Sequence, residues 1–184
     1  MTDSNNRGNA KIPRAECLRV REALAARKMN IVLIGMPGSG KTTISDLLGQ
    51  VLELPVNDCD VAVVNAAGKS IPQIFAEDGE GVFRAYESEC LRNLGGQTVT
   101  ILSTGGGCVT REENYAHLHK NGVVFWLHRD LGKLPTDGRP VSQARGVAAI
   151  AREREPLYRA FADCIVDNNG TVEETVAQIF AKIE

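Results

Sequence analysis

The chain has 184 residues, five cysteines, and 21 Lys+Arg against 23 Asp+Glu for a net charge of -2. That length suits one domain with a sizeable core, and the balanced charge offers no general attraction for nucleic acid or an anionic membrane. The cysteines (Cys17, Cys59, Cys90, Cys108, Cys164) are odd in number and lack Cys-x-x-Cys or Cys/His ligand spacing, which argues against a disulfide framework or zinc site and for a reducing cytoplasm.

Residues 1–13 are polar and read as a disordered tail. Residues 14–28 can form a short helix. Its Arg14, Arg19, Arg21, Arg27 and Lys28 suggest a transit peptide, but Asp3, Glu16 and Glu22 favour a solvated cap on a domain that occupies residues 29–184. No run approaches the ~20 apolar residues of a membrane helix, and the start of the chain lacks the apolar core of a secretory signal.

The apolar run Ile31-Val32-Leu33-Ile34 reads as a strand and leads into Gly35-Met36-Pro37-Gly38-Ser39-Gly40-Lys41-Thr42, which fits G-x-x-x-x-G-K-[ST] at every fixed position. Ile44, Leu47, Leu48, Val51 and Leu52 then follow at helical spacing. At such a strand–loop–helix junction the loop amides and the positive end of the helix dipole surround phosphate oxygens. Lys41 adds a point charge at the β- and γ-phosphates, and the Thr42 hydroxyl suits Mg²⁺, which prefers to be bound together with nucleotide phosphates. The chain is therefore expected to bind a nucleotide.

Leu54-Pro55-Val56-Asn57 leads to Asp58-Cys59-Asp60. An Asp-x-Asp there can cap the next helix; alternatively, strand alternation puts both carboxylates on one side. Residues 71–94 show helical spacing broken near Asp78-Gly79, and 98–102 read as a strand ending in Gly105-Gly106-Gly107. A polar helix over 111–120, a strand over 123–127, a short strand over 164–166 and a helix striped by Val172, Val176, Ile179 and Ile183 complete the order. Strands alternating with helices imply a parallel sheet between helical layers, with ligands beyond the strands' carboxyl ends. His117, His119 and His128 match no metal or catalytic pattern and read as surface or structural residues.

The phosphate loop, the Asp58/Asp60 pair, the set Ile74, Phe75, Gly79, Glu80, Phe83, Arg84 and Glu87, the triple glycine, Gly138-Arg139-Pro140, and Arg154 with Pro156-Leu157-Tyr158 together resemble the shikimate kinase family over residues 29–184. The resemblance implies a three-layer α/β/α phosphate-loop kinase with a five-stranded parallel sheet and a mobile lid over about 134–153. It implies ATP on Gly35, Gly38, Ser39, Gly40, Lys41, Thr42, Thr43 and Arg139, and Mg²⁺ on Thr42 with Asp58 acting through water. It also implies shikimate on Asp60, Arg84, Gly105, Gly106, Gly107 and Arg154, with Asp60, Lys41 and Arg139 as the catalytic set and Glu87 orienting Arg84. The segment before Arg139 is shorter than the family pattern and lacks its basic residue; Lys133 is a stand-in, and Asn168 and Asn169 are candidates for an adenine edge. The expected protein is a cytoplasmic monomer that binds small molecules rather than nucleic acid or membrane. A gluconate-type kinase and a non-catalytic nucleotide-binding module are the other readings.

Overall fold

The structure, a computed structural model, describes residues 12–134 and 146–183. Five strands, β1 (Asn30–Ile34), β2 (Val56–Asp58), β3 (Ile101–Ser103), β4 (Gly122–His128) and β5 (Cys164–Asp167), form one parallel sheet in the order β2-β3-β1-β4-β5. β1 is buried along its whole length, as a central parallel strand covered on both faces must be.

Eight α-helices cover the sheet among the described residues: α1 (Arg14–Arg27), α2 (Lys41–Leu52), α3 (Cys59–Ala67), α4 (Ile71–Glu77), α5 (Gly79–Gly95), α6 (Glu113–His119), α7 (Val147–Phe161) and α8 (Val172–Ile183). Side chains alternate along each strand and so divide the core in two. Val32, Ile34, Leu102, Val124 and Trp126 pack with α3, α4, α5, α6 and α7. Ile31, Leu33, Ile101, Phe125 and Leu127 pack with α1, α2 and α8 on the opposite face. These are the three layers expected from the sequence.

Several elements differ from that expectation. α1 is more than a solvated cap, because Cys17, Val20 and Leu24 are buried in the second core cluster and only its outer face meets solvent. The strand expected from residue 98 begins at Ile101, because Val99 sits at φ 59 and the Thr100 N–H donates to the Asn30 side chain at 3.0 Å. A β-branched residue in the left-handed region cannot continue a strand. α3 was not expected: CDVAVVNAA carries no broad apolar stripe, and the helix buries only Cys59 and Val63, one turn apart. The break at Asp78-Gly79 is real, with Gly79 at φ 85 and α4 started by a Ser70/Gln73 capping box. Residues 135–145, most of the expected lid, lie outside the described residues, and 147–153 form the start of α7.

Candidate active site

All five strands are parallel, so their carboxyl ends deliver the segments that follow them to one edge. The phosphate loop follows β1 there. Gly38 and Gly40 take φ 82 and 94, a region other residues enter at a cost, which explains glycine at both positions. A Cβ at Gly35 would lie 2.8 Å from the Leu127 carbonyl oxygen of the neighbouring strand. Lys41 is buried at the first turn of α2, and its Nζ donates to the Gly35 and Met36 carbonyls at 2.9 and 3.0 Å, spanning the loop. Thr42 and Thr43 are exposed on that first turn, whereas Ser39 is wholly buried with an Oγ that has no hydrogen-bond partner.

Asp58 ends β2 and caps α3, its Oδ1 accepting from the N–H groups of Asp60 and Val61 at 2.8 and 3.2 Å. Asp60 belongs to the first turn of that helix, so the pair converges through the helical turn and not through strand alternation. The capping reading of the Asp-x-Asp therefore holds for Asp58, and the strand-alternation reading does not, because Asp60 is already helical. Burial raises the Asp60 carboxyl above the ordinary carboxylate range, with the neighbouring Asp58 charge adding to it and Lys41 and Arg84 pulling against it.

The glycines after β3 each stand against a different neighbour. A Cβ on Gly105 would sit 2.5 Å from Glu87 Oε1 and 3.0 Å from Asp60 Oδ1; on Gly106, 2.6 Å from the Pro37 ring; on Gly107, 2.2 to 2.3 Å from the Arg84 guanidinium. Arg84, Asp60, Glu87 and the phosphate loop thus all press on one three-residue turn. Arg84 Nη1 pairs with the fully buried Glu87 at 2.7 Å and Nη2 with Glu80 at 3.1 Å. Burial opposes the Arg84 charge, but the two glutamates outweigh it and hold the guanidinium as a cation, while burial raises the Glu87 carboxyl against the pull of Arg84. Glu87 therefore occupies the orienting place expected of it.

Arg154 is 3% exposed on α7 and donates to the Gly106 carbonyl at 3.0 Å. The Tyr158 hydroxyl donates to the same oxygen. Tyr158, a functional candidate beyond those that the sequence singles out, stands one turn after Arg154 on the same helix face, a spacing visible in the sequence. Arg84 and Arg154 each carry a buried Nε–H with no hydrogen-bond partner.

Arg139 lies outside the described residues. Lys133 donates to the Asn169 carbonyl at 3.1 Å, and the Asn169 side chain bridges Asp130 and Asp167. The Asn168 side-chain amide faces the phosphate loop and α8, so it is not open to an adenine edge. Two of the histidines have structural contacts: His119 contacts Asp163 and Tyr115, and His128 packs edge-on against Trp126.

Among the described residues no group of three or more His, Cys, Asp or Glu is placed to hold a metal. A hydroxyl at a phosphate-binding helix start fits the alternative, a Mg²⁺ held chiefly by phosphate oxygens and water.

The shikimate kinase family model matches residues 37–184. The chain is 39% identical over 152 residues to a shikimate kinase of Synechococcus sp. (strain JA-3-3Ab), covering 77% of this chain and 79% of the relative. It is 33% identical over 184 residues to one of Ruegeria pomeroyi, covering 95% and 94%. Among solved structures, the shikimate kinase of Acinetobacter baumannii in complex with shikimate matches with a TM-score of 0.75 at 27% identity, over 88% of this chain and 96% of that one. The enzyme of Aquifex aeolicus matches at 0.72 and 33% identity, over 84% and 96%. Agreement that runs from the phosphate loop to the last helix, in sequence and in fold alike, places the chain in the shikimate kinase family.

Proposed function

We propose that this chain transfers the γ-phosphoryl group of ATP to the 3-hydroxyl of shikimate, giving shikimate 3-phosphate and ADP. The observation that carries this reading is the pair of buried guanidinia set against consecutive glycines beside Asp60 at the phosphate-loop edge. Shikimate is a carboxylated ring with three hydroxyls, so its site needs fixed cations and an acceptor. Arg84 and Arg154 anchor the carboxylate by charge-assisted hydrogen bonds. Asp60 orients the attacked hydroxyl and accepts its proton, and the backbone of Gly105, Gly106 and Gly107 lets the ring approach where a side chain would intrude.

On the donor side, Gly35, Gly38, Ser39, Gly40, Lys41, Thr42 and Thr43 wrap the ATP phosphates, with Lys41 exchanging loop carbonyls for phosphate oxygens. Arg139 is assigned to the transferring phosphoryl group by the resemblance alone. Thr42 would hold Mg²⁺, with Asp58 acting through water, and the ion would neutralise phosphate charge. A monomer working in the cytoplasm is part of this reading, since one chain supplies the phosphate loop, the base and both anchors.

ADP release coupled to a spectroscopic signal, with Mg-ATP and shikimate, gluconate or quinate as acceptor, tests the assignment. Shikimate should turn over far faster than the others; gluconate turnover equal to it would overturn the reading. Arg154→Ala should weaken shikimate binding at least about tenfold in calorimetry, because a charge-assisted contact contributes ~1.5–3 kcal/mol. Unchanged binding would move the carboxylate elsewhere.

A further inference from the structure

We propose that Asn168 is a positioning residue of the phosphate loop: its side-chain amide holds the Ser39 carbonyl outward and thereby fixes the Gly40 N–H toward bound phosphate. The proposal rests on the nucleotide reading of that loop.

Asn168 follows β5 and is 3% exposed. Its Nδ2 donates to the Ser39 carbonyl, and its Oδ1 accepts from the Thr175 hydroxyl of α8 at 2.7 Å. Its backbone N–H donates to the His128 carbonyl at 2.8 Å, and its carbonyl accepts from Arg129 Nη1 at 3.2 Å. Because a carbonyl only accepts, the nitrogen of the amide must be the atom that faces Ser39. The peptide unit is planar and trans, so its C=O and N–H point in opposite directions. Fixing the Ser39 oxygen therefore fixes the N–H of Gly40, the residue that caps α2.

A loop with glycines at φ 82 and 94 has wide backbone freedom of its own, and Ser39 Oγ has no partner to restrain it. The Asn168 amide lies 3.1 Å from the point where a Gly40 Cβ would stand, so the loop backbone rests directly on it. Through Thr175, His128 and Arg129 the same residue ties the loop to α8 and to the end of β4. Ordering the loop before ATP arrives removes an entropic cost from binding.

The test uses Asn168→Asp, which keeps the size and the acceptor for Thr175 but turns the donor into an anion facing a carbonyl. Calorimetry should show ADP binding weakened at least about tenfold, as befits a lost buried donor. The KM for ATP should rise in step, the KM for shikimate should stay within about twofold, and the preference for ATP over GTP in kcat/KM should hold. A changed ATP/GTP preference would make Asn168 a reader of the base and overturn the proposal, as would unchanged ADP affinity with lowered Tm, the signature of a brace without a role in binding. Thr175→Val, which leaves Asn168 and the loop intact but frees the amide to rotate, should shift ADP affinity in the same direction by a smaller factor; no shift in either variant overturns the proposal. A parent protein that binds no ADP would overturn the nucleotide reading as well, whereas a parent that binds ADP beside variants that bind it equally overturns the role of Asn168 alone.

Discussion

Asp60 is the residue on which the proposed chemistry turns, and its surroundings dictate how the rate should depend on pH. The acceptor role requires the ionised carboxylate, while burial and the adjacent Asp58 charge favour the protonated form and raise the pKa. Activity should therefore fall as pH drops through a value above the ordinary carboxylate range, and should be retained on the alkaline side of it. A kcat/KM profile would locate that acid limb. Asp60→Asn should lower the rate by roughly 10²–10⁴-fold, the usual contribution of a positioned base, and should remove the limb. A limb of unchanged position in the variant would hand the titration to Glu87, whose carboxyl burial also raises. Tyr158 and Asn168 act differently, each holding a backbone carbonyl so that a glycine-rich segment keeps its shape. The sequence displays neither role, because hydrogen bonds to these loops from the turn after β5 or from α7 join residues 129 and 52 positions apart.

At the scale of elements, α1 belongs to the folded core. Leu24 is 1% exposed and packs with α2 and α8 residues, so Leu24→Ala should destabilise the chain by ~2–5 kcal/mol, measured as a lowered urea midpoint with unchanged slope. A change under about 0.5 kcal/mol, typical of exposed positions, would detach α1 from the core. Its arginines are visible in the sequence, but the wide spacing of Cys17, Val20 and Leu24 makes the apolar stripe narrow and easy to overlook. β1 and α2 are legible because a continuous β-branched run and a helical stripe flank a motif of fixed spacing. The Asp58/Asp60 geometry is not, since local residue type cannot say where a three-residue strand hands over to a helix. Val99 is similarly hidden: Thr98 to Leu102 has strand propensity throughout, and the left-handed turn at Val99 is imposed by how β3 enters the sheet beside Asn30.

Across the whole molecule, burial also sets the reactivity of the cysteines. Cys59 and Cys108 are fully buried, burial pushes both thiols up, that of Cys108 to about 12, and a thiol rather than a thiolate is a poor nucleophile. Iodoacetamide at neutral pH should label half-buried Cys164 first and reach Cys59 and Cys108 only on unfolding, as followed by peptide mass spectrometry. Early labelling of Cys108 would mean that the turn beside it opens in the native state. That turn also constrains how the sequence can drift. Gly105, Gly106 and Gly107 are held small by the acidic side chains, by the loop proline and by the Arg84 guanidinium respectively. A side chain gained at one of them displaces the corresponding partner. For Gly106 that partner is Pro37, whose backbone nitrogen would stand 2.9 Å from a Cβ there, so replacing the proline ring alone leaves the clash. For Gly107 the partner is the proposed substrate anchor itself, so a side chain there requires the Arg84 guanidinium to leave its place beside Glu87.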